Sequence, residues 1–208
     1  MRSEIGLLAI IVLLVVFEVF SNKKQKAAII PAALILLGIN TIIGFLPLAS
    51  GEIFGGMFKT NALLHLFKTI LSAGVLILLL QSADWLKEKV IAENKATEFI
   101  ILILSSLLGA YYLISAGDFL MFYIGLELTT LPVAALVAYE TFKQKSAEAG
   151  VKYILSSALA SGTAIFGISL LYATTGTLYF DGFSEVLTMS NLAILGFIFF
   201  FSGLAFKI

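Results

Sequence analysis

Apolar residues gather along the chain into long runs separated by short polar connections. A helix needs about 20 mainly apolar residues to cross a hydrocarbon core of roughly 30 Å. Seven runs approach that length: 5–20, 27–48, 62–80, 99–115, 118–139, 151–174 and 191–208. The pattern predicts an all-α, polytopic membrane helix bundle. The connection 49–61 breaks the helical pattern with Gly51, Gly55 and Gly56 around Phe54 and Phe58, and reads as a compact turn or short hairpin. The stretch 87–98 alternates charge after Trp85 and reads as a solvated linker with an interfacial anchor. It divides the chain into 1–98, with three spans, and 99–208, with four.

Composition agrees with a bilayer as the solvent. Of the 208 residues, 60% are hydrophobic and 12% charged, against roughly 45–50% and about 25% in a soluble domain. The mean hydropathy is +1.06. Thirteen basic and thirteen acidic residues give a formal net charge of zero, so no basic surface points to a nucleic acid. There is no Cys and one His, which excludes thiolate-held iron–sulfur clusters, Cys-bound structural zinc and bis-His haem within these residues. Redox chemistry belongs in another chain. Residues 1–20 lack a small-residue cleavage site and read as a retained first span.

The basic residues set an orientation. Lys23, Lys24 and Lys26, then Lys87, Lys89 and Lys95, then Lys143 and Lys145 follow the first, third and fifth spans, whereas the other side has Arg2 and Lys59. Cytoplasmic loops carry the excess of Lys and Arg, so the N-terminus is expected outside. Three lysines, Lys68, Lys152 and Lys207, fall inside predicted spans.

A charge at the centre of a spanning helix costs about 2.5–3.5 kcal/mol on insertion scales and marks a functional site by default. Glu127 lies nine residues from Asp118, about 13 Å along a helix, close to the midplane. Leu120, Tyr123, Glu127 and Thr130 share its face. Pro132 frees the carbonyl of Leu128 and suits a hydratable stretch beside the acid. Lys152 on the next, antiparallel span is available to Glu127, with Ser156, Ser157, Ser161 and Thr163 along the same helix; snorkelling is its alternative. Such a pair would titrate as a unit. Lysine, unlike arginine, can shed its proton in a protein, which favours a relay over fixed pairing. His65 and Lys68 share a face with Ser72 near the outer end of span three, where snorkelling or local pairing is expected. Glu18 reads as an interfacial partner of Lys23 and Lys24.

At these residues the chain resembles a known family, the membrane subunit N of respiratory complex I, the NADH-quinone oxidoreductase. Gly117-Asp-Phe-Leu-Met-Phe-Tyr-Ile-Gly-Leu-Glu127-Leu-Thr-Thr-Leu-Pro132 is similar to the family's fifth-helix signature around a buried glutamate. Ser146-Ala-Glu-Ala-Gly-Val-Lys152-Tyr-Ile-Leu-Ser-Ser-Ala-Leu-Ala-Ser-Gly162 resembles the helix that follows it. Phe54-Gly-Gly-Met-Phe58 looks like an early outer loop, and Gly203-Leu-Ala-Phe-Lys207-Ile208 like the start of a seventh-helix lysine motif.

The resemblance implies an antiporter-like fold of two inverted repeats, of which this chain would be a truncated half, and a multi-pass place in the cell inner membrane. It implies a proton-translocating subunit of NADH:quinone oxidoreductase, with Glu127, Lys152 and Lys207 as the relay. Electron transfer would be done elsewhere, with quinone, FMN and iron–sulfur clusters in partner subunits and neither cofactor nor metal in this chain. Partners would be the neighbouring antiporter-like and small membrane subunits. The alternative is a subunit of a multi-subunit cation/proton antiporter or of a related membrane-bound hydrogenase complex.

Overall fold

The computed structural model of the chain describes residues 2–20, 28–46, 50–93, 95–140, 142–188 and 190–207. Helices α1 (Arg2–Phe20), α2 (Ile29–Gly44), α3 (Ala62–Glu93), α4 (Ala96–Ile114), α5 (Phe119–Val137), α6 (Gln144–Thr175) and α8 (Asn191–Ala205) follow the predicted spans in order. A hairpin of β1 (Gly51–Ile53) and β2 (Phe58–Thr60) precedes α3, and a four-residue helix, α7 (Phe183–Val186), precedes α8. Among the described residues, α1, α3, α4, α5 and α6 are long and apolar enough to cross a membrane. At 16 and 15 residues, α2 and α8 are shorter than the runs that predicted them. The residues flanking α2, including Lys23, Lys24 and Lys26, lie outside the described set.

The expected linker at 87–98 is instead mostly helix, because α3 runs on to Glu93 and α4 starts at Ala96. Residues 81–93 contain neither Gly nor Pro and are rich in good helix formers, and Asp84 accepts from Lys87 one turn away at 2.8 Å. Trp85 packs at 5.3 Å from the ring of Phe99 and 6.2 Å from that of Tyr139, so this anchor ties α3 to α4 and to the segment that follows α5. Helix α6 also starts about two turns before its predicted 151, and it ends where Gly176 takes the left-handed conformation (φ 69°).

Two apolar clusters organise the bundle. Leu7, Ile10 and Leu14 of α1 pack with Ala33 and Leu37 of α2, Leu79 of α3, and Ile100 and Leu104 of α4. Phe119 of α5 packs with Ile168 and Leu171 of α6 and Phe200 of α8. Between them α5 lies along α4 and against α6. Backbone contact at glycines sets these distances: a Cβ on Gly125 would stand 2.5 Å from the Leu113 nitrogen, and one on Gly203 would stand 2.6 Å from Ala160 O and from Ala164 N. Without lipid-excluding hydrophobic force, close approach of small residues is what packs membrane helices.

The hairpin forms as the glycine pattern predicts. Phe54, Gly55 and Gly56 take positive φ (56°, 65° and 94°), and Gly51 pairs with Thr60 in antiparallel register. It clamps the α4–α5 turn. Lys59 N–H donates to Ser115 O at 2.8 Å and Gly117 N–H to Met57 O at 2.7 Å. On the far side of that turn Phe119 N–H donates to Leu178 O and Phe180 N–H to Gly117 O, each at 3.0 Å. Lys59 pairs with Asp181, and that bond holds its pKa above the ordinary lysine value. A raised lysine stabilises the fold below its unfolded pKa and ceases to do so as pH rises through the folded one, so the lysine's part of this tie is present at neutral pH and is lost in alkali. A Cβ on Gly117 would collide with the Gly56 carbonyl. Gly117→Ala is therefore expected to lift the hairpin, read as faster hydrogen exchange at the Lys59 amide; unchanged protection there would contradict the clamp.

Candidate functional site

Asp118 starts α5, its Oδ1 accepting the Met121 N–H at 2.7 Å. The helix then runs unbroken through Pro132 to Val137. Ser106 of α4 donates to the Thr129 carbonyl at 3.0 Å, and Thr129 and Thr130 donate back to Gly125 O and Leu126 O. Hydroxyls thus surround the segment where proline removes a backbone donor, which lets a membrane helix carry proline at depth.

Glu127 projects from this segment toward α6 and α8. Its Oε1 accepts from Lys207 Nζ at 2.6 Å and from Ser161 Oγ. Lys207 also reaches Thr130 Oγ1 at 3.4 Å. The lysine side chain is 4% exposed and the glutamate 23%, so the pair is withdrawn from bulk solvent. Ser161 Oγ lies 2.8 Å from the Ser157 carbonyl as well, which gives its single proton two acceptors. Against the lysine sits a cavity of about 110 Å³ lined by Thr130, Tyr153, Ser156, Ser157, Phe206 and Lys207. It is large and polar enough for several waters.

The structure brings two of the three sequence-derived residues together. Lys152 stands apart: it pairs with Glu148 one turn earlier at 2.5 Å, with both side chains mostly exposed. The expected Glu127–Lys152 pairing is corrected to Glu127–Lys207. Ser161, not Lys152, is the α6 residue level with Glu127, and nine residues separate the two, or about 13 Å of helix. Pairing across sequence-distant helices could not be read from helical spacing.

Of the two expectations for Lys68, the structure shows pairing and not snorkelling. The lysine is 1% exposed and its Nζ lies 2.5 Å from Glu4 Oε1. Glu4 fell one residue before the predicted first span, yet both residues sit near the same end of their helices, and that shared depth was the available signal. The partners proposed for Glu18, Lys23 and Lys24, lie outside the described residues. Among the described residues no three His, Cys, Asp or Glu side chains gather as a metal site.

The chain is similar to known proteins. Residues 116–208 match the family described as NADH:quinone oxidoreductase/Mrp antiporter, TM. NADH-quinone oxidoreductase subunit N of Phocaeicola vulgatus is 43% identical over all 208 residues, and that of Azobacteroides pseudotrichonymphae is 40% identical over 209 aligned residues. The chain spans 44% and 43% of those two relatives. By fold it is similar to a chain of respiratory complex I from Thermus thermophilus with bound aureothin (TM-score 0.73, 23% identity, 99% of this chain and 43% of that one). It is equally similar to a chain of the membrane-bound sulfane sulfur reductase, an archaeal respiratory membrane complex (TM-score 0.73, 20% identity, 99% and 44%). With 43% identity over its whole length to one such subunit, and a family match whose residues 116–208 take in both Glu127 and Lys207, the chain belongs to the family of NADH-quinone oxidoreductase subunit N.

Proposed function

We propose that this chain is part of a proton-translocating membrane subunit of an NADH:quinone oxidoreductase, and that the Glu127–Lys207 pair is its proton-exchange site. The observation that carries the reading is the buried ion pair itself, bridged by Ser161 and set against a hydroxyl-lined cavity. A proton arriving through water in that cavity neutralises the Glu127 carboxylate and ends its attraction for Lys207. The lysine is then free to turn toward Thr130 or to pass on its own proton. Deprotonation restores the pair. Ser161 can follow the change by swinging its hydroxyl between Glu127 and the Ser157 carbonyl.

Lys152, with Glu148, lies on the exposed face of α6 toward the lysine-rich side and is the next station of the relay. On the lysine distribution that side is cytoplasmic, and the N-terminus and hairpin face outward. Helices α4 to α8 form part of one translocating repeat of a subunit in the cell inner membrane, with α1 to α3 flanking it. Other membrane subunits of the complex cover the exposed apolar faces, and NADH oxidation, quinone reduction and their cofactors reside in partner chains.

The test is Lys207→Met and Lys152→Met in the full-length protein, within the intact complex in sealed vesicles. Protons pumped per NADH oxidised should fall in both and further in Lys207→Met, while quinone reduction continues. Unchanged ratios in both would sink the reading. The family description also names Mrp antiporters; sodium-driven proton exchange in these vesicles without NADH would select that second reading.

A further inference from the structure

The mechanism above leaves unused a second cluster of buried polar groups, at the hairpin-side end of α1 to α4. Glu4 and Lys68 are 3% and 1% exposed and form an ion pair. Lys68 Nζ also donates to Ser115 Oγ and lies 5.0 Å from the centre of the Phe58 ring. Ser3 Oγ lies 3.5 Å from Glu4 Oε2, and Thr41 Oγ1 is 2.6 Å from Ser72 Oγ. Among the described residues, the ionisable groups of this cluster are Arg2 and Glu4 on α1, His65 and Lys68 on α3, and Tyr111 on α4, each within electrostatic reach of another. Helix α2 adds Asn40 and Thr41 and has no charged residue. Asp118, three residues beyond Ser115, caps α5 through Oδ1, and its buried Oδ2 has no hydrogen-bond partner among the described residues.

Two features set the cluster apart from a packing device. Among the described residues, Asn40 Nδ2 and His65 Nε2 are buried without a hydrogen-bond partner, in residues only 7% and 5% exposed. A buried polar group left unpaired costs roughly 1–3 kcal/mol, and internal water is the usual partner that relieves it. The ion pair, for its part, adds little to stability, because desolvation offsets its attraction. The parts repeat those at Glu127: a carboxylate, a lysine from a sequence-distant helix, and a serine hydroxyl bonded to one of them.

We propose that the hairpin-side end of α1 to α4 holds a second, water-containing protonatable site, with Glu4 as proton acceptor and Asn40 and His65 as the groups that hold the water. An excess proton carried in by that water leaves its oxygen for the Glu4 carboxylate, forming an O–H bond there and leaving neutral water, while the Lys68 ammonium stays on Ser115. Release returns the proton to water on the hairpin side and re-forms the pair, so one proton enters, one leaves and no electron moves. Its role as an outlet rests on the translocation reading; its hydration and titration do not.

The test uses the full-length complex. A high-resolution map of the wild-type complex should show ordered water bonded to Asn40 Nδ2 and His65 Nε2, and a dry cluster overturns the proposal. The pH-difference infrared spectrum should lose one protonated-carboxyl band in Glu4→Gln, and an identical spectrum overturns it too. Should Glu4→Gln fail to assemble, the wild-type map decides alone. Glu4→Gln combined with Lys68→Gln keeps the volume without the charge, and should pump severalfold more slowly per NADH in assembled complex; undiminished pumping removes the outlet role. Full pumping by Glu127→Gln beside a titrating Glu4 would refute the relay at Glu127 and leave this site standing.

Discussion

Glu127→Gln is expected to abolish proton translocation through this subunit while leaving the complex assembled and able to reduce quinone. Gln keeps the volume of Glu and still accepts from Ser161, so the contacts of α5 with α6 survive. What it removes is the charge that balances Lys207, whose side chain is 4% exposed. Taking one partner from a buried pair typically costs about 3–5 kcal/mol as an uncompensated charge. The site then has neither the acid nor the electrostatic change that moves the base. Proton uptake by sealed vesicles per NADH oxidised is the measurement, and an undiminished ratio in assembled complex refutes the role given to Glu127. Adding Lys207→Met should cost little beyond Glu127→Gln alone, because residues acting as one unit are not additive.

Lys68→Leu is expected to be the most destabilising change in the N-terminal helices. It strands the Glu4 carboxylate in a site where that residue is 3% exposed, again about 3–5 kcal/mol, and it removes the donor to Ser115 at the end of α4. Accumulation of the assembled complex, followed on native gels, should fall sharply. Adding Glu4→Leu to the same chain should recover most of it, since replacing both charges by apolar groups is often neutral or stabilising. Wild-type accumulation of the single variant would contradict a buried pair.

The sequence carried most of the helix order because bilayer thickness imposes a length that a run of apolar residues either meets or misses. The hairpin was legible from Gly51, Gly55 and Gly56, of which the latter two supply positive φ in the turn. The end of α3 was not. Charge alternation at 87–93 looked like solvent-facing linker, whereas helix propensity carried α3 on to Glu93.

At the site, the sequence by itself singled out the residues proposed for the chemistry: a carboxylate and lysines at depths where unpaired charge is costly. Glu127, Lys152 and Lys207 stand out by that argument without any tertiary information. Which lysine meets Glu127 was decided by the packing of α5, α6 and α8, where Gly203 lets α8 lie against Ala160 and Ala164 and so delivers Lys207 to the carboxylate. Lys152 is closer in sequence yet displaced along its helix and turned to Glu148. Glu4 and Lys68 met for the same reason across 64 positions. Burial cost acts on each residue alone and can be read along a chain; pairing depends on which helix backbones approach, and that is fixed only when the bundle closes.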